Sequence, residues 1–329
     1  MFHKLPIITG YFFLFVYVTF SQSDVEIKEP KYVVASSAFG YLSAQKDRLT
    51  YIENQFPSLK LDVIKARISF DMAFGRAEEE ILKYLEDFMG TSNFNILKDT
   101  SFQLNSLLNQ SEMLTIDIAK EYLWMVEKSA EGNIPSPYLE TLCSFNFKNS
   151  PSEEYIFGFT RTFTSKDHPK SKNTNWSISV PISWEMEEGS SPGVMKKFTS
   201  DLGYGEELIL LMVRDLTNAE SLSKADIEDL YTESNFKMTM PKGATFISFS
   251  KSTFDSKPGG IVEMEEVMGP VHAQRKMRIL QYSFIHNYKT HVIQCSVSSK
   301  DIAEDLSRKM NRMKPLFQKV ANSVVVNEP

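Results

Sequence analysis

The stretch of residues 259–299 constrains the fold more than any other part of the chain, because its pattern predicts three consecutive antiparallel strands. Acidic residues precede Gly269 and Pro270, and basic residues follow them. A turn at residues 269–272 therefore places opposite charges side by side, as antiparallel neighbours favour, and a slip of one residue would turn these side chains to the wrong face. The predicted cross-strand pairs are Glu263 with Arg278, Glu265 with Lys276, Glu266 with Arg275, Met264 with Met277 and Val262 with Ile279.

A second turn, at residues 287–290, returns the chain for the third strand. With this turn, apolar and polar residues fall on separate faces of the sheet. This separation is stronger evidence for strands than the β propensity of the residues alone. Apolar side chains on both faces of the middle strand predict that the sheet is covered, at least in part, on both sides. The predicted pairs are Phe284 with Ile293, Tyr282 with Cys295 and Leu280 with Val297, and the polar residues Gln281 and Ser283 face Ser296 and Gln294.

The N-terminal end has the pattern of a secretory signal peptide over residues 1–21. Lys4 supplies the positive charge, residues 5–20 are the apolar core, and Thr19 and Ser21 are small residues at a cleavage site. The apolar run is shorter than the roughly 20 residues that a membrane-spanning helix needs. We therefore predict a secreted or periplasmic protein with no stable membrane insertion after signal cleavage.

Net charge and cysteine content limit the classes of partner and the kind of cross-link that the chain can have. The formal charge is -6, and removal of Lys4 with the signal peptide leaves 35 basic against 42 acidic residues, or -7. This balance opposes a nucleic-acid partner, which needs a basic surface. An oxidising compartment permits a disulfide between Cys143 and Cys295. However, Cys295 falls on the apolar face of a predicted strand, which favours buried free thiols over a disulfide.

The 329 residues are enough for about two domains, and the pattern changes at residue 151. Residues 22–150 are predicted to form a helical domain, and residues 151–329 an antiparallel sheet domain with a C-terminal helix, which makes the fold class α+β. The best helix, residues 59–89, is predicted to stop at Gly90. Its apolar stripe is Leu61, Ile64, Ile68, Phe74, Ile81, Leu85 and Phe88. Further helices are predicted at residues 33–55, 101–108, 116–130 and 136–143.

The second domain is predicted to be mostly β. A short helix at residues 223–231 has Ser223 and Asp226 in capping-box spacing. The last helix is predicted to begin at the cap residue Ser299, with Pro315 as a kink or as the start of a second helix. Its apolar stripe is Ile302, Leu306, Met310, Met313, Phe317 and Val320. Strands are predicted, ahead of the three described above, at residues 155–164, 176–184, 194–199, 208–213 and 245–254.

The order of elements in the second domain, with WSISVPISW at residues 176–184 as a strand, resembles the PsbP-like family. That family includes the photosystem-associated PsbP proteins and the Ran-binding Mog-type proteins. The resemblance covers residues 155–325 and implies an antiparallel sheet with helices on both faces. It implies a non-catalytic accessory or binding role and no site residues, because no positions here match the metal ligands of photosynthetic members. The whole chain resembles secreted bacterial proteins that join a helical N-terminal half to such a domain.

Residues 189–193, Gly-Ser-Ser-Pro-Gly, match the G-x-S-x-G pattern of serine hydrolases. That nucleophile must lie between a strand and a helix. Here Pro192 follows the serine and a strand is predicted next, so we interpret the segment as a loop. A hydrolase with a site at the seam between the domains, using Ser190, Ser191 or a histidine-centred site, is kept as an alternative.

His286 and His291 oppose each other in the predicted register, and two imidazoles across a hairpin can begin a metal site. A third ligand would have to come from His272 or from a carboxylate. Two exposed side chains at a hairpin tip are the better interpretation, because two ligands rarely make a site. The chain has no P-loop, dinucleotide fingerprint, HExxH or calcium-loop motif, so no cofactor and no metal are predicted.

The glutamates of the first hairpin are interpreted as a structural ladder, since neighbouring cations keep carboxylates ionised, whereas a general acid needs its proton. Phe70, Met72 and Phe74 are candidates for a partner groove on the helical domain, with core packing as the default. We predict a secreted or periplasmic, non-enzymatic binding or accessory protein with a protein partner in the cell envelope. A carrier of a small apolar ligand between sheet and helix is a further alternative.

Overall fold

The computed structural model describes residues 29–111, 114–135, 137–216 and 223–327. The chain divides into two compact units, one that ends at Phe159 and one that begins at Thr160. The predicted signal peptide, residues 1–21, lies outside the described residues. None of the helices in the described ranges is long and apolar enough to cross a lipid bilayer.

The first unit is built from helices, as the sequence predicts. The helix that starts at Lys60 is interrupted at Gly90, where φ is 77° and ψ is 153°, so it stops at the predicted glycine and then restarts. The unit runs on to Phe159, whereas the sequence predicts a boundary after residue 150. The helices are α1 (Lys31–Gln55), α2 (Lys60–Ser111), α3 (Ile116–Ala130), α4 (Tyr138–Asn146) and α5 (Pro151–Ile156).

The buried side-chain amide of Asn146 is satisfied by a neighbouring helix. Asn146, at the end of α4, donates from Nδ2 to the carbonyl oxygen of Ala73 at 3.1 Å and accepts from the backbone N–H of Arg76 at 3.0 Å. These two bonds join α4 to the middle of α2 and leave the buried amide paired, as interiors require. Thr115 caps α3 by accepting from the N–H of Ile118.

Within the described residues, the second unit contains two antiparallel sheets and three α-helices. The three-stranded sheet has the order β1-β2-β10, and the seven-stranded sheet has the order β3-β4-β5-β9-β8-β7-β6. The helices are α6 (Lys224–Leu230), α7 (Glu233–Thr239) and α8 (Ser307–Asn322). The strands are β1 (Thr160–Thr164), β2 (Trp176–Pro181), β3 (Glu185–Glu188), β4 (Val194–Thr199), β5 (Glu207–Asp215), β6 (Thr245–Phe254), β7 (Lys257–Met268), β8 (Arg275–His286), β9 (Lys289–Ser299) and β10 (Val325–Val326).

Both faces of the large sheet are covered in part, as the apolar pattern predicts. Successive side chains of β7 alternate between the two faces. Val262 packs with Tyr231 and Phe236 from the α6 and α7 region, whereas its neighbour Glu263 reaches Lys314 of α8 on the opposite face. The fold is therefore α+β, with an antiparallel sheet between helices.

The register of the β7–β8 hairpin differs from the prediction by two residues. Glu265 lies directly across from Arg278, and Glu263 lies across from Leu280. The loop spans residues 269–274 and includes a short 3-10 turn, so it is longer than predicted. A shift of two residues leaves every side chain on its predicted face, because the side-chain period of a strand is two.

The register of the β8–β9 hairpin is shifted by two residues in the other direction. The loop is only Asn287 and Tyr288, so His286 lies across from Lys289. Phe284 then lies across from His291, and Tyr282 across from Ile293 rather than Cys295. Asn287 and Tyr288 both have positive φ, 46° and 57°. Such two-residue turns match the twist of the strands that they join.

Three further predictions about elements are corrected. The predicted strand 155–164 begins as helix α5, and only Thr160–Thr164 is a strand. Ser299 is the last residue of β9 and does not cap the last helix, which begins at Ser307. Ile302 consequently lies outside that helix and is exposed, whereas the rest of the predicted stripe is buried. Pro315 lies inside α8.

Candidate functional site

Helix α2 carries apolar side chains on two opposite faces. One face is the core of the first unit and includes Val63, Ala66, Phe70, Phe74, Ala77 and Ile81, all of them buried. The other face is exposed: Leu61 keeps 80%, Ile68 54% and Met72 76% of its accessible surface. Exposed apolar groups that share one helix face mark an interaction surface more often than scattered ones do.

These exposed residues form one stripe. Leu61, Ile64, Ile68 and Met72 follow one another at steps of three or four residues, which places them one above the other on a helix. Gly75 continues the stripe three residues after Met72. Together the five residues are called the α2 surface below.

Gly75 leaves the backbone of α2 bare on this surface. A methyl group added there would meet only Cβ of Asp71, at 3.8 Å, so the space above the glycine is open. Glycine inside a helix is less stable than alanine by about 1 kcal/mol. A glycine on an exposed helix face therefore costs stability, and it permits a second chain to approach the backbone closely.

Helix α3 borders the α2 surface. Lys65, which lies between Leu61 and Ile68 on the same face of α2, donates from Nζ to Glu127 of α3 at 2.7 Å. Trp124 lies one turn before Glu127 on α3 and keeps 59% of its surface exposed. The indole is therefore on the side of α3 that carries the ion pair, and it extends the apolar surface onto a second helix.

The charged residues around the α2 surface include an ion pair, Lys65 with Glu127, and two aspartates, Asp62 and Asp71. The hydrogen bond from Lys65 to Glu127 raises the pKa of Lys65, and the charges of Glu127 and Asp62 act in the same direction. At 100° per residue, Asp62 and Asp71 flank the stripe on its two sides. Both are exposed, and among the described residues neither makes an ion pair. Asp62 and Asp71 are thus exposed acidic groups beside the stripe.

The sequence predicts Phe70, Met72 and Phe74 as candidates for a partner groove, and the structure separates them. Phe70 and Phe74 are buried, with ring centroids 5.3 Å apart, so core packing accounts for them. Met72 lies on the α2 surface. Gly75 also lies on the α2 surface and was not predicted as a site residue. Its position could have indicated this surface, because glycine is a poor helix former and is unusual in the middle of a strong helical pattern.

The serine motif does not have the geometry of a nucleophile elbow. Residues 189–193 form the loop between strands β3 and β4, and no helix follows the serines. Ser191 is buried in this loop and Ser190 is exposed. Because the elbow requires a strand, a sharp turn and a helix, the arrangement gives no support to the predicted hydrolase alternative at these serines.

The two histidines of the second hairpin are not directly opposed. The ring centroids of His286 and His291 are 6.3 Å apart, and His291 is fully buried with its ring stacked on Phe284. Burial, together with the nearby His286, lowers the pKa of His291 to about 3. Within the described ranges, no group of three or more His, Cys, Asp or Glu side chains is placed to hold a metal ion.

Two glutamates of the first hairpin, Glu263 and Glu265, form structural ion pairs, whereas Glu266 does not form its predicted pair with Arg275. Glu263 accepts from Nε of Arg278 at 2.8 Å and from Nζ of Lys314 at 3.0 Å. Burial disfavours the charged form of Glu263, but these hydrogen bonds outweigh it and hold the pKa below its usual value. The predicted pair of Glu265 with Lys276 also forms, at 2.9 Å. The contacts of Glu263 with Arg278 and of Glu265 with Lys276 are diagonal. In the register of the hairpin, Glu263 lies directly across from Leu280 and Glu265 directly across from Arg278.

Both cysteines are buried free thiols, as predicted. Burial raises the pKa of each thiol, of Cys143 and of Cys295, above the usual range. A thiol that stays protonated is a poor nucleophile and a poor metal ligand. Neither cysteine therefore provides a reactive site.

No protein-family model and no curated protein matches the chain. Among solved structures, the cyanobacterial PsbP protein CyanoP of Synechocystis sp. is 18% identical, with 51% of this chain and 92% of CyanoP covered and a TM-score of 0.33. LpqN of Mycobacterium tuberculosis, a protein involved in cell envelope biogenesis, is 11% identical, with 51% and 92% covered and a TM-score of 0.33. The Ran-binding protein Mog1p of Saccharomyces cerevisiae is 10% identical, with 51% and 95% covered and a TM-score of 0.33.

The PsbP-like resemblance predicted from the sequence is thus found again among solved structures, over about half of the chain in its C-terminal region. At these identities the likeness concerns the fold alone.

Proposed function

We propose that this protein is a non-enzymatic binding protein, and that its α2 surface binds an amphipathic helix of a protein partner. The observation that carries the proposal is the second apolar face of α2, which is exposed and is not covered by any part of the chain that the structure describes. Methionine and tryptophan are enriched in protein interfaces, and buried tryptophans dominate their binding energy. Met72 and Trp124 supply these residue types.

A helix suits this surface better than an extended strand. From Leu61 to Gly75 the stripe is about 21 Å long at 1.5 Å per residue, which matches four turns of a second helix. Helix-in-groove recognition uses apolar anchors spaced by three and four residues. Gly75 allows close approach of a partner backbone at one end.

The charges define the partner further. Asp62 and Asp71 flank the stripe, and complementary charges steer encounter and set orientation. We therefore infer a partner helix with basic residues beside its apolar face. The pair of Lys65 with Glu127 lies at the edge of the surface and adds little binding energy, because water and salt screen exposed ion pairs.

The proposal is tested with a defined peptide. A synthetic helix of about 18 residues, long enough to populate the helical state, carries leucines on one face and lysines on both flanks. Its affinity for the protein is measured by fluorescence anisotropy, and a peptide of the same composition in scrambled order is the control. We expect the amphipathic peptide to bind more tightly than the scrambled one, and its binding to weaken with salt.

Variants locate the binding site. Met72→Ser is expected to weaken peptide binding about tenfold or more, as anchor residues do. Met238→Ser, at an exposed methionine on α7, is the matched control and should leave binding unchanged. Gly75→Ala should weaken binding while it stabilises the helix, which separates loss of contact from loss of folding. Equal binding of the scrambled peptide, or an unchanged affinity of Met72→Ser, would overturn the proposal.

The proposal includes a location outside the cytoplasm and a partner in the cell envelope. Its support is the signal-peptide pattern of residues 1–21. N-terminal sequencing of the protein isolated from its native cells tests this part separately. A mature chain that begins just after Ser21 is expected, and one that retains the apolar segment would contradict it.

A further inference from the structure

Four of the 15 methionines of the chain meet on one face of the large sheet. Met264 and Met277 are buried together with Ile279, and Met240 and Met268 pack against them. Met264 and Met268 belong to β7, Met277 to β8, and Met240 follows α7. The cluster therefore joins three parts of the chain, and each part brings a thioether sulfur.

Glu266 lies at the centre of this cluster. In the register of β7 and β8, Glu266 is directly across from Met277. Met264 and Met268 are the residues two before and two after Glu266, so all three point to the same face. Met277 is consequently diagonal to both of them, a distance that long side chains can bridge. Three methionines are thus neighbours of Glu266 on the same face of the sheet.

The carboxylate of Glu266 lacks a partner. Its Oε1 atom is buried and has no hydrogen bond within the described part of the chain. The sequence predicts Arg275 as its cation, but Arg275 instead pairs with Glu206 at 3.1 Å. A buried polar atom without a partner is costly, and natural proteins rarely keep one without a reason.

We propose that Met240, Met264, Met268 and Met277, together with Glu266, form a binding site for a soft monovalent cation of the Cu⁺ class. Thioethers are soft ligands that select Cu⁺, whereas carboxylates and carbonyls suit harder ions such as Mg²⁺ and Ca²⁺. The thioethers are neutral, so a single carboxylate balances a single positive charge. Methionine side chains are flexible and polarizable, which lets them close around an ion.

The burial of the four methionines is graded in a way that suits entry of an ion. Met264 and Met277 are buried, whereas Met240 and Met268 are only half-buried. The half-buried pair gives access from solvent and the buried pair provides a dry interior. A cluster that served packing alone would leave the unpaired, buried Oε1 atom of Glu266 unexplained.

The test uses Ag⁺, which has the soft character of Cu⁺ and no redox chemistry in water. The purified protein is labelled with ¹³C at the methionine methyl groups, and Ag⁺ is added during NMR measurement. We expect the signals of the four cluster methionines to shift together and to saturate at one ion per chain. The signals of Met72 and Met125, both exposed and remote in sequence from the cluster, are internal controls. Zn²⁺ should leave the cluster signals unmoved.

Variants assign the ligands. The double variant Met264→Leu with Met277→Leu removes two sulfurs and nearly conserves volume, and it is expected to bind Ag⁺ at least roughly 10-fold more weakly, as changes at metal sites do. Glu266→Gln keeps the shape and removes the charge, and it should also weaken binding. Met72→Leu is the matched control and should bind like the wild type. A thermal unfolding curve for each variant shows whether it is folded.

Three results would overturn the proposal. In the first, Ag⁺ is taken up while the cluster methyl signals stay in place, which would assign the ion to Cys143, Cys295 or another site. In the second, the folded double leucine variant binds Ag⁺ as tightly as the wild type. Competition with a Cu⁺ chelator under reducing conditions then measures the affinity for the inferred natural ion, and transfer of all Cu⁺ to a micromolar-affinity chelator would also contradict it.

Discussion

Glu263 on β7 and Lys314 on α8 are 51 residues apart in the chain, and their side chains meet at 3.0 Å. Arg278 on β8 donates to the same carboxylate and also to the hydroxyl of Ser307, at the start of α8. The buried carboxylate therefore connects two strands of the large sheet to the helix that covers them. Removing one member of such a group leaves the remaining charges uncompensated.

We expect Glu263→Gln to destabilise the second unit by about 3 kcal/mol, because it leaves the guanidinium of Arg278 without its anion. Denaturant unfolding at neutral pH measures the change. Glu233→Gln is the control, since Glu233 and Lys237 form an exposed pair on α7, and it should cost less than about 0.5 kcal/mol. Equal costs for the two variants would contradict the central role of Glu263.

The same variant predicts a pH dependence. The pKa of Glu263 is depressed in the folded state from a reference value of 4.5. Its contribution to stability is therefore complete above pH 4.5 and is lost as the pH falls through the folded-state pKa. The stability difference between wild type and Glu263→Gln should be full at pH 7 and shrink in acid. A stability difference between wild type and Glu263→Gln that grows as the pH falls would contradict a lowered pKa of Glu263.

His291 predicts a second loss of stability in acid. Burial first, and then the neighbouring His286, lower the pKa of His291 from 6.5 to about 3 in the folded state. Below pH 6.5 the imidazole of His291 is protonated in the unfolded chain but stays neutral in the folded chain. The free energy of unfolding therefore falls by up to about 1.4 kcal/mol per pH unit until the folded-state pKa is reached. Unfolding free energies at several pH values measure the slope.

The variant His291→Phe, which keeps an aromatic ring against Phe284, should flatten that slope. His286→Gln is the matched control at the neighbouring histidine and should retain most of it. If His291→Phe showed the same pH profile as the wild type, His291 would have to be accessible to protons in the folded state.

The two faces of α2 predict opposite results for two residues that are close in sequence. Phe70→Ala should cost about 3–5 kcal/mol, because it removes a buried ring from the core. Met72→Ala should change stability by no more than about 0.5 kcal/mol, because Met72 is exposed. Thermal or denaturant unfolding of the two variants measures both. A large cost for Met72→Ala would mean that this face is part of a core.

Gly259 predicts a steric effect in the large sheet. A methyl group added there would lie 2.3 Å from the carbonyl oxygen of Ser283 and 2.8 Å from the ring of Phe254. Backbone atoms cannot give way cheaply, so Gly259→Ala should destabilise the unit by about 1–3 kcal/mol. Gly40→Ala on α1, where nothing lies within 4 Å, is the control and should stabilise its helix by about 0.5–1 kcal/mol. The unfolding midpoints should therefore move in opposite directions.

The strands of the second unit could be predicted from local pattern, but their register could not. Alternation showed that Glu263 and Val262 point to opposite faces, and this holds in the structure. The exact pairing depended on loop length. Tyr288 has a positive φ, which tyrosine rarely adopts, so a two-residue turn at Asn287 and Tyr288 was not expected from the residue types.

The stripe of α2 shows why the candidate site was harder to predict. Apolar residues at steps of three, four or seven predicted one buried face. In the structure Phe74 and Ile81 belong to the buried face, and Leu61 and Ile68 to the exposed one. A periodicity that merges two faces still predicts a helix, but it does not predict which side is covered.

Residue pattern alone was sufficient for the helical first half, the antiparallel ribbon and the sorting of its faces, because these features depend on neighbours within a few residues. Long-range packing selected which side of α2 faces the core. It also placed Lys314 of α8 beside Glu263 as a second cation, and it brought Met240 to the cluster of Met264 and Met277. Such contacts join residues that are far apart in the chain, and their energies depend on burial, which exists only once the elements have packed.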